Sequence, residues 1–223
     1  MSERRVAALV CEGQTDVPIF RALIQKLWPE VEEVLCLQPE LDEMERQKSA
    51  AGWTQVMAWC QANAGRIEEV LHSNLGDPID LLLVAVDVDI AVHAGITSPP
   101  KDPGAYETPR LRATMKGWLA PTDAKMPSSV VLSTPVTAVE AWIIAALYPH
   151  ETNPERISAP ADWLMKKKKL RRSAKDGRPW KELHVYRGWA PSVAAKTGRI
   201  RKVCSEAERT FRAIEALRNE SEG

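Results

Sequence analysis

The sequence predicts an α/β protein: a mostly parallel four-stranded sheet with helices on both faces, followed by a basic, partly helical C-terminal extension. Three observations carry this. Two apolar runs, 6–10 and 81–86, run straight into acidic residues, as buried strands do where they end at a sheet rim. Strand-like and helix-like segments alternate through the first 150 of the 223 residues, which suits parallel strands joined by helical crossovers. Charge is divided along the chain: residues 1–150 hold 12 Lys/Arg against 20 Asp/Glu, and residues 151–223 hold 18 against 10, so a net charge of zero conceals balances of −8 and +8. Two units follow, an acidic sheet domain over 1–150 and a basic extension over 151–223.

Residues 6–11 form the first strand, apolar throughout and therefore central. Pro18 stands in the first turn of a helix over 17–28, which Thr15 or Asp16 would cap and whose face is Ile19, Phe20, Leu23, Ile24 and Leu27. The second strand, 31–37, is interrupted by Glu32 and Glu33 and so lies nearer an edge. A polar segment follows, then one long amphipathic helix over 53–75 closed by Gly76, Asp77 and Pro78. Residues 79–86 are apolar on both faces, a parallel strand covered on both sides. The loop beyond Asp89 contains Pro99, Pro100, Pro103 and Gly104, and its length beside a candidate site suggests a lid or substrate-binding element. A helix over 107–120, a strand over 129–133 and a helix over 136–147 complete the sheet unit. Residues 149–160 read as a linker, and a helix over 200–218 ends the extension.

Composition sets limits on class. No run reaches the length of a membrane helix and the first residues carry no apolar signal segment, from which a cytoplasmic protein with no membrane partner is expected. Cys11, Cys36, Cys60 and Cys204 are scattered without a paired motif and read as free thiols of a reducing compartment. His72, His93, His150 and His184 show no metal-ligand spacing, although His93 lies close enough to Asp89 to visit its site.

The chemistry-bearing residues stand at the strand ends. Glu12-Gly13-Gln14-Thr15-Asp16 follows the first strand, with Gly13 supplying the positive φ that a sharp exit from a strand often needs. Asp87-Val88-Asp89 follows the third; at a spacing of two, both aspartates face one side of the rim while Val88 returns to the core. Carboxylates gathered there repel one another unless a divalent cation neutralises them, and hard oxygen donors suit Mg²⁺ or Mn²⁺. Asp16 reads equally as a helix cap or as cap and second-metal ligand. Glu140 reads equally as a dipole-favoured helix start or as a residue that binds the metal or supports its ligands. Ser133 and Thr134 would either bind a phosphate oxygen or serve a turn.

Glu-Gly-x-Thr-Asp after a first strand, Asp-x-Asp after a later one and the Thr137-Ala138-Val139-Glu140-Ala141-Trp142 helix start together resemble the Toprim domain. The likeness is to the small stand-alone Toprim-like proteins of bacteria, related to the overcoming-lysogenization-defect nucleases and to phage-defence proteins. It covers roughly residues 5 to 148. The family usually carries Glu where Asp16 stands, a one-carbon difference that bears on a second metal. The resemblance implies a Toprim-like sheet and a Mg²⁺- or Mn²⁺-dependent nuclease, with Glu12, Asp87 and Asp89 catalytic and Asp16 and Glu140 completing the ligand set. Since no tyrosine-bearing cleavage domain fits in these 223 residues and a primase's usual companion domains are missing from them, the resemblance implies a nuclease-type Toprim rather than a topoisomerase or a primase.

The run Lys166, Lys167, Lys168, Lys169, Arg171 and Arg172, with Lys175, Arg178 and Lys181 beyond it, lies among Trp163, Trp180 and Tyr186. Basic residues interleaved with aromatics suit a nucleic-acid strand, though such a run also serves as a solvated face or as a contact with the acidic half. A partner protein encoded alongside and a homo-oligomer are both compatible with the sequence. Two other functions fit parts of it: a Toprim-like module that binds or senses without cutting, and a haloacid-dehalogenase-like phosphatase, whose nucleophile motif is also Asp-x-Asp and whose second motif Ser133 would supply. Against the phosphatase, Ile90 and Ala91 follow Asp89, no later paired-Asp motif exists, and the first acidic motif is left without a role.

Overall fold

The computed structural model describes residues 4–42, 44, 48, 51–72, 77–90, 95, 108–120 and 125–221. Strands β1 (Arg5–Val10), β2 (Val31–Gln38), β3 (Ile79–Ala85) and β4 (Val130–Ser133) form one sheet in the order β2-β1-β3-β4, parallel throughout. Ala8 pairs with Leu35 on one side and Leu82 on the other, so β1 is central, and β2 is an edge strand as its charged residues require. Successive side chains of the inner strands enter opposite cores: Ala7, Leu9, Leu81 and Leu83 one, Val6, Ala8, Leu82 and Val84 the other. That two-sided burial is why residues 6–10 and 81–85 of these strands are unbroken apolar runs.

One face is covered by α2 (Trp53–Ala62), α3 (Ile67–His72) and α4 (Thr108–Leu119), through Val56, Cys60, Leu71, Leu111 and Met115. The other carries α1 (Asp16–Leu27) and α5 (Glu140–Leu147), together with α6 (Pro160–Lys166), α7 (Leu183–Ala195), α8 (Thr197–Val203) and α9 (Ser205–Ser221). Buried side chains from before and after residue 150 thus form a single cluster. At its centre the Trp142 ring meets Phe20 edge-on at 5.9 Å and Phe211 at 5.6 Å, which joins α1, α5 and α9.

Several boundaries differ from the sequence expectation, each for a local reason. The helix expected over 53–75 is two helices, because the chain turns at Asn63–Gly65; Gly65 adopts φ 73° and donates its N–H to the Leu119 carbonyl. The helix expected from 136 starts at Glu140, since Thr137 stands at φ 61°. The last helix is broken at Cys204, where the backbone is extended. Glu155, in the segment read as a linker, folds onto the start of α9 and accepts hydrogen bonds from the Ser205 amide and hydroxyl at 3.0 Å, supplying a cap from 50 residues away. A short antiparallel hairpin, β5 (Arg171–Arg172) with β6 (Pro179–Trp180), has no counterpart in the sequence expectation. The proline-rich loop with Pro99, Pro100, Pro103 and Gly104, and His93 with it, lies outside the described residues. No helix among the described residues is long and apolar enough to cross a membrane. The thiols of Cys11, Cys60 and Cys204 are buried and all four cysteines are free.

Candidate active site

The strand order reverses between β1 and β3, and the segments leaving these two strands open a crevice at the carboxyl end of the sheet. Each acidic motif is tied to backbone from another segment. Glu12 Oε1 accepts the Asp87 N–H at 2.7 Å, which joins the ends of β1 and β3. Asp87 Oδ1 accepts the Val139 N–H at 3.1 Å, which joins β3 to the start of α5. Asp16 Oδ2 accepts the Gly13 N–H at 3.1 Å. Glu140, the first residue of α5, has no exposed surface; its Oε1 accepts the Tyr186 hydroxyl at 2.5 Å and pairs with Lys181 Nζ at 2.7 Å. Its other oxygen, Oε2, is buried and has no hydrogen-bond partner among the described residues. Glu12, Thr15, Asp16, Asp87 and Lys181 line a cleft of about 310 Å³.

The electrostatics of this cluster are those of like charges crowded out of water. Burial raises the Glu12 carboxyl to about 8, with Asp16 and Asp89 adding to the rise. Burial likewise lifts Asp16 to about 7 although Lys181 opposes it. Asp87 is held well above the carboxylate range by burial and then by Glu12, Asp16 and Glu140. For Glu140 burial acts upward too, but the Lys181 ammonium and the Tyr186 hydroxyl outweigh it and keep the group ionised. Lys181 is the mirror case: burial pushes its pKa down, and Glu140, Asp16 and Asp87 together hold it above the ordinary lysine value. Its side chain is 41% exposed, yet its ammonium rests at 2.7 Å on a carboxylate with no exposure.

The four carboxylates read from sequence at strand ends and helix starts, Glu12, Asp16, Asp87 and Glu140, are therefore brought together. Asp89 stands exposed on the turn beyond Asp87, outside the cleft lining but near enough to raise Glu12 and Asp87. Val88 is buried as its alternation predicts. Three local readings change. Gly13 has no positive φ, and a Cβ there would meet nothing closer than 3.8 Å, so the β1 exit does not demand glycine. Asp16 is the first residue of α1 rather than its N-cap, and its carboxylate folds back onto Gly13. Ser133 and Thr134 are fully buried and bonded to Thr210 and Glu206 of α9, which removes them as phosphate ligands.

Lys181 and Tyr186 are the site residues that sequence reasoning places elsewhere. By position in the chain both belong to the basic and aromatic tail; Tyr186 is fully buried and unable to stack on a base. The spacing of the tail gives no sign of either role. Lys166, Lys167, Lys168, Lys169, Arg171 and Arg172 are exposed, and Lys167 lies over the Trp163 ring at 5.0 Å. Replacing Tyr186 by phenylalanine should cost about 1.5–3 kcal/mol, the worth of a hydrogen bond to a charged group, and should raise the Glu140 pKa. Urea denaturation of the two proteins measures this; equal midpoints would show that Lys181 alone satisfies Glu140.

Among the described residues no three His, Cys, Asp or Glu side chains already stand around a common point in a coordinating arrangement. The donor set nevertheless fits a hard divalent cation. It offers carboxylate oxygens from Glu12, Asp16 and Asp87, all displaced toward protonation by burial and mutual repulsion, and a buried Glu140 oxygen lacking any hydrogen-bond partner among the described residues. Comparison with family models, curated proteins and solved structures gives no match to this chain. By its fold it is an α/β protein whose four-stranded parallel sheet is flanked by helices and whose acidic cleft lies at the sheet's switch point.

Proposed function

We propose that this protein is a divalent-cation-dependent phosphodiesterase of Toprim type that hydrolyses DNA or RNA, with phage defence as its setting by resemblance. The observation that carries the reading is the gathering of Glu12, Asp16, Asp87 and Glu140 at the switch point, against the positive charge of Lys181 in the cleft. Glu12, Asp16, Asp87 and the unpartnered oxygen of Glu140 would hold Mg²⁺ or Mn²⁺, and Asp89 on the adjoining turn adds negative field. When bound, the cation would polarise the phosphoryl group and lower the pKa of a water.

The chain's own groups do the rest. Lys181, fixed by Glu140 and in turn by Tyr186, presents a permanent cation in the cleft for a phosphate oxygen. Burial holds the Glu12 and Asp16 carboxyls at about 8 and about 7, so binding a cation there would require them to give up protons, and uptake would strengthen as pH rises. The exposed basic side chains hold the strand.

The test is incubation of purified protein with labelled single- and double-stranded DNA and RNA in Mg²⁺, Mn²⁺ or EDTA. Cleavage in either cation and none in EDTA supports the reading. Binding without cleavage replaces it with a non-cutting Toprim-like module, and hydrolysis of a small phosphomonoester alone favours a phosphatase. Strand holding has its own prediction: alanine at Lys166, Lys167, Lys168 and Lys169 should flatten the log–log salt dependence of affinity by roughly 0.7–0.9 for each phosphate no longer engaged. An unchanged slope would make the run a solvated face.

A further inference from the structure

We infer that the β5–β6 hairpin is a single-strand clamp beside the cleft, Trp180 stacking on an unpaired base while Arg171 takes the adjoining phosphate. The substrate class is then single-stranded or locally unpaired nucleic acid. This deepens the hydrolase reading and rests on it for the chemistry, while strand capture itself needs no cation.

Trp180 is 52% exposed, whereas Trp28 and Trp142 are fully buried. A large aromatic left half in water presents ring surface on which a base can stack. The antiparallel register sets Arg171 directly opposite Trp180, so the two side chains share one face of the hairpin. Arg171 is itself exposed, and its contact with Glu182 is long, 3.8 Å, and weak enough for a phosphate to displace. Residues 166–181 carry nine Lys/Arg and one acidic residue, Asp176, which accepts the Arg178 amide in the hairpin turn. Trp180 is followed at once by Lys181, so the strand that presents the indole outward places the next side chain in the carboxylate cleft. A duplex hides its base faces in the stack and offers this surface only phosphates; an unpaired strand offers both.

Fluorescence anisotropy in EDTA, where nothing is cut, separates the possibilities. The probe is one fluorescein-labelled mixed-sequence oligonucleotide, presented as a single strand and as a blunt duplex, in DNA and RNA forms. Wild type should bind the single strand more tightly. Trp180→Ala should weaken that binding by about 5- to 150-fold, the worth of one stacked base, and leave duplex binding nearly unchanged. Trp180→Phe should recover much of the loss, since a phenyl ring also stacks, while unchanged duplex binding shows the fold intact, and Arg171→Ala should weaken binding and reduce the salt slope by about one phosphate. Equal losses for strand and duplex, no loss in Trp180→Ala, or no binding by wild type would each overturn the clamp. Binding that obeys these rules in a protein that never cuts leaves the clamp standing and removes the hydrolase; cutting that ignores Trp180 does the reverse.

Discussion

Asp87→Asn is expected to lower cation-dependent cleavage by at least about 10²-fold, the scale on which loss of a single electrostatic stabiliser lowers turnover. Asparagine is the informative substitution because it keeps an oxygen where Oδ1 accepts the Val139 amide, and so keeps the joint between β3 and α5. Alanine at the same place removes charge and joint together. Strand affinity should stay level or rise in both variants, since the basic surface is untouched and one charge that repels phosphate is gone. Glu12→Gln should follow Asp87→Asn, given that Glu12 holds the Asp87 amide from the other side. Asp89→Ala tests the exposed turn: a loss as deep as that of Asp87→Asn would bring Asp89 into the ligand set. If Asp87→Asn cuts as wild type does, its carboxylate is only a structural joint and the hydrolytic site is lost.

The second large effect is on stability. Glu12 stands at about 8 against an ordinary 4.5, and Asp16 at about 7 against 3.8, with Asp87 displaced the same way. Raised carboxyls mean that the folded chain holds more protons than the unfolded chain between those values, so stability in EDTA falls as pH rises from about 5 to about 8. The slope is about 1.4 kcal/mol per pH unit for each extra proton held. Glu140 acts in the opposite sense, but its stabilising share is complete above its ordinary 4.5 and is lost only below it, outside this window. Lys181, raised above 10.5, contributes constantly throughout. Saturating Mn²⁺ should remove the fall; at a hundredfold over its dissociation constant it adds about 2.7 kcal/mol, or about 5–11 °C in a chain of this size. Thermal scans across that pH range, with and without Mn²⁺, measure both. A flat profile in EDTA would mean the carboxylates are not confined together.

How much of this is legible in the sequence follows from the range of the interactions involved. Buried parallel strands must be apolar on both faces, so β1 and β3 announce themselves through the continuous runs 6–10 and 81–85, and the acids beyond them are visible by position alone. Helix breaks are not legible. The cap that starts α9 comes from Glu155, and the turn at Gly65 is held by Leu119, contacts between residues distant in sequence. Lys181 and Tyr186 are hidden for the same reason: each reaches Glu140 only because α7 packs on the core that α1 and α5 share. Ser133 and Thr134 keep their appearance as phosphate ligands until α9 is placed, where Thr210 and Glu206 consume both hydroxyls.

The ring contacts around Trp142 set a limit on modularity. A break by charge at residue 150 invites treatment of the chain as a sheet unit with a detachable basic arm, a design that could be recombined with other arms. Phe211 covers one edge of Trp142, and Tyr186 and Lys181 satisfy one oxygen of Glu140, so excision of 151–223 would strip an aromatic core and leave a buried carboxylate alone. The arm's charge can vary by surface substitution, but its apolar face is part of the sheet's core, so the two halves must be expressed and engineered as one piece.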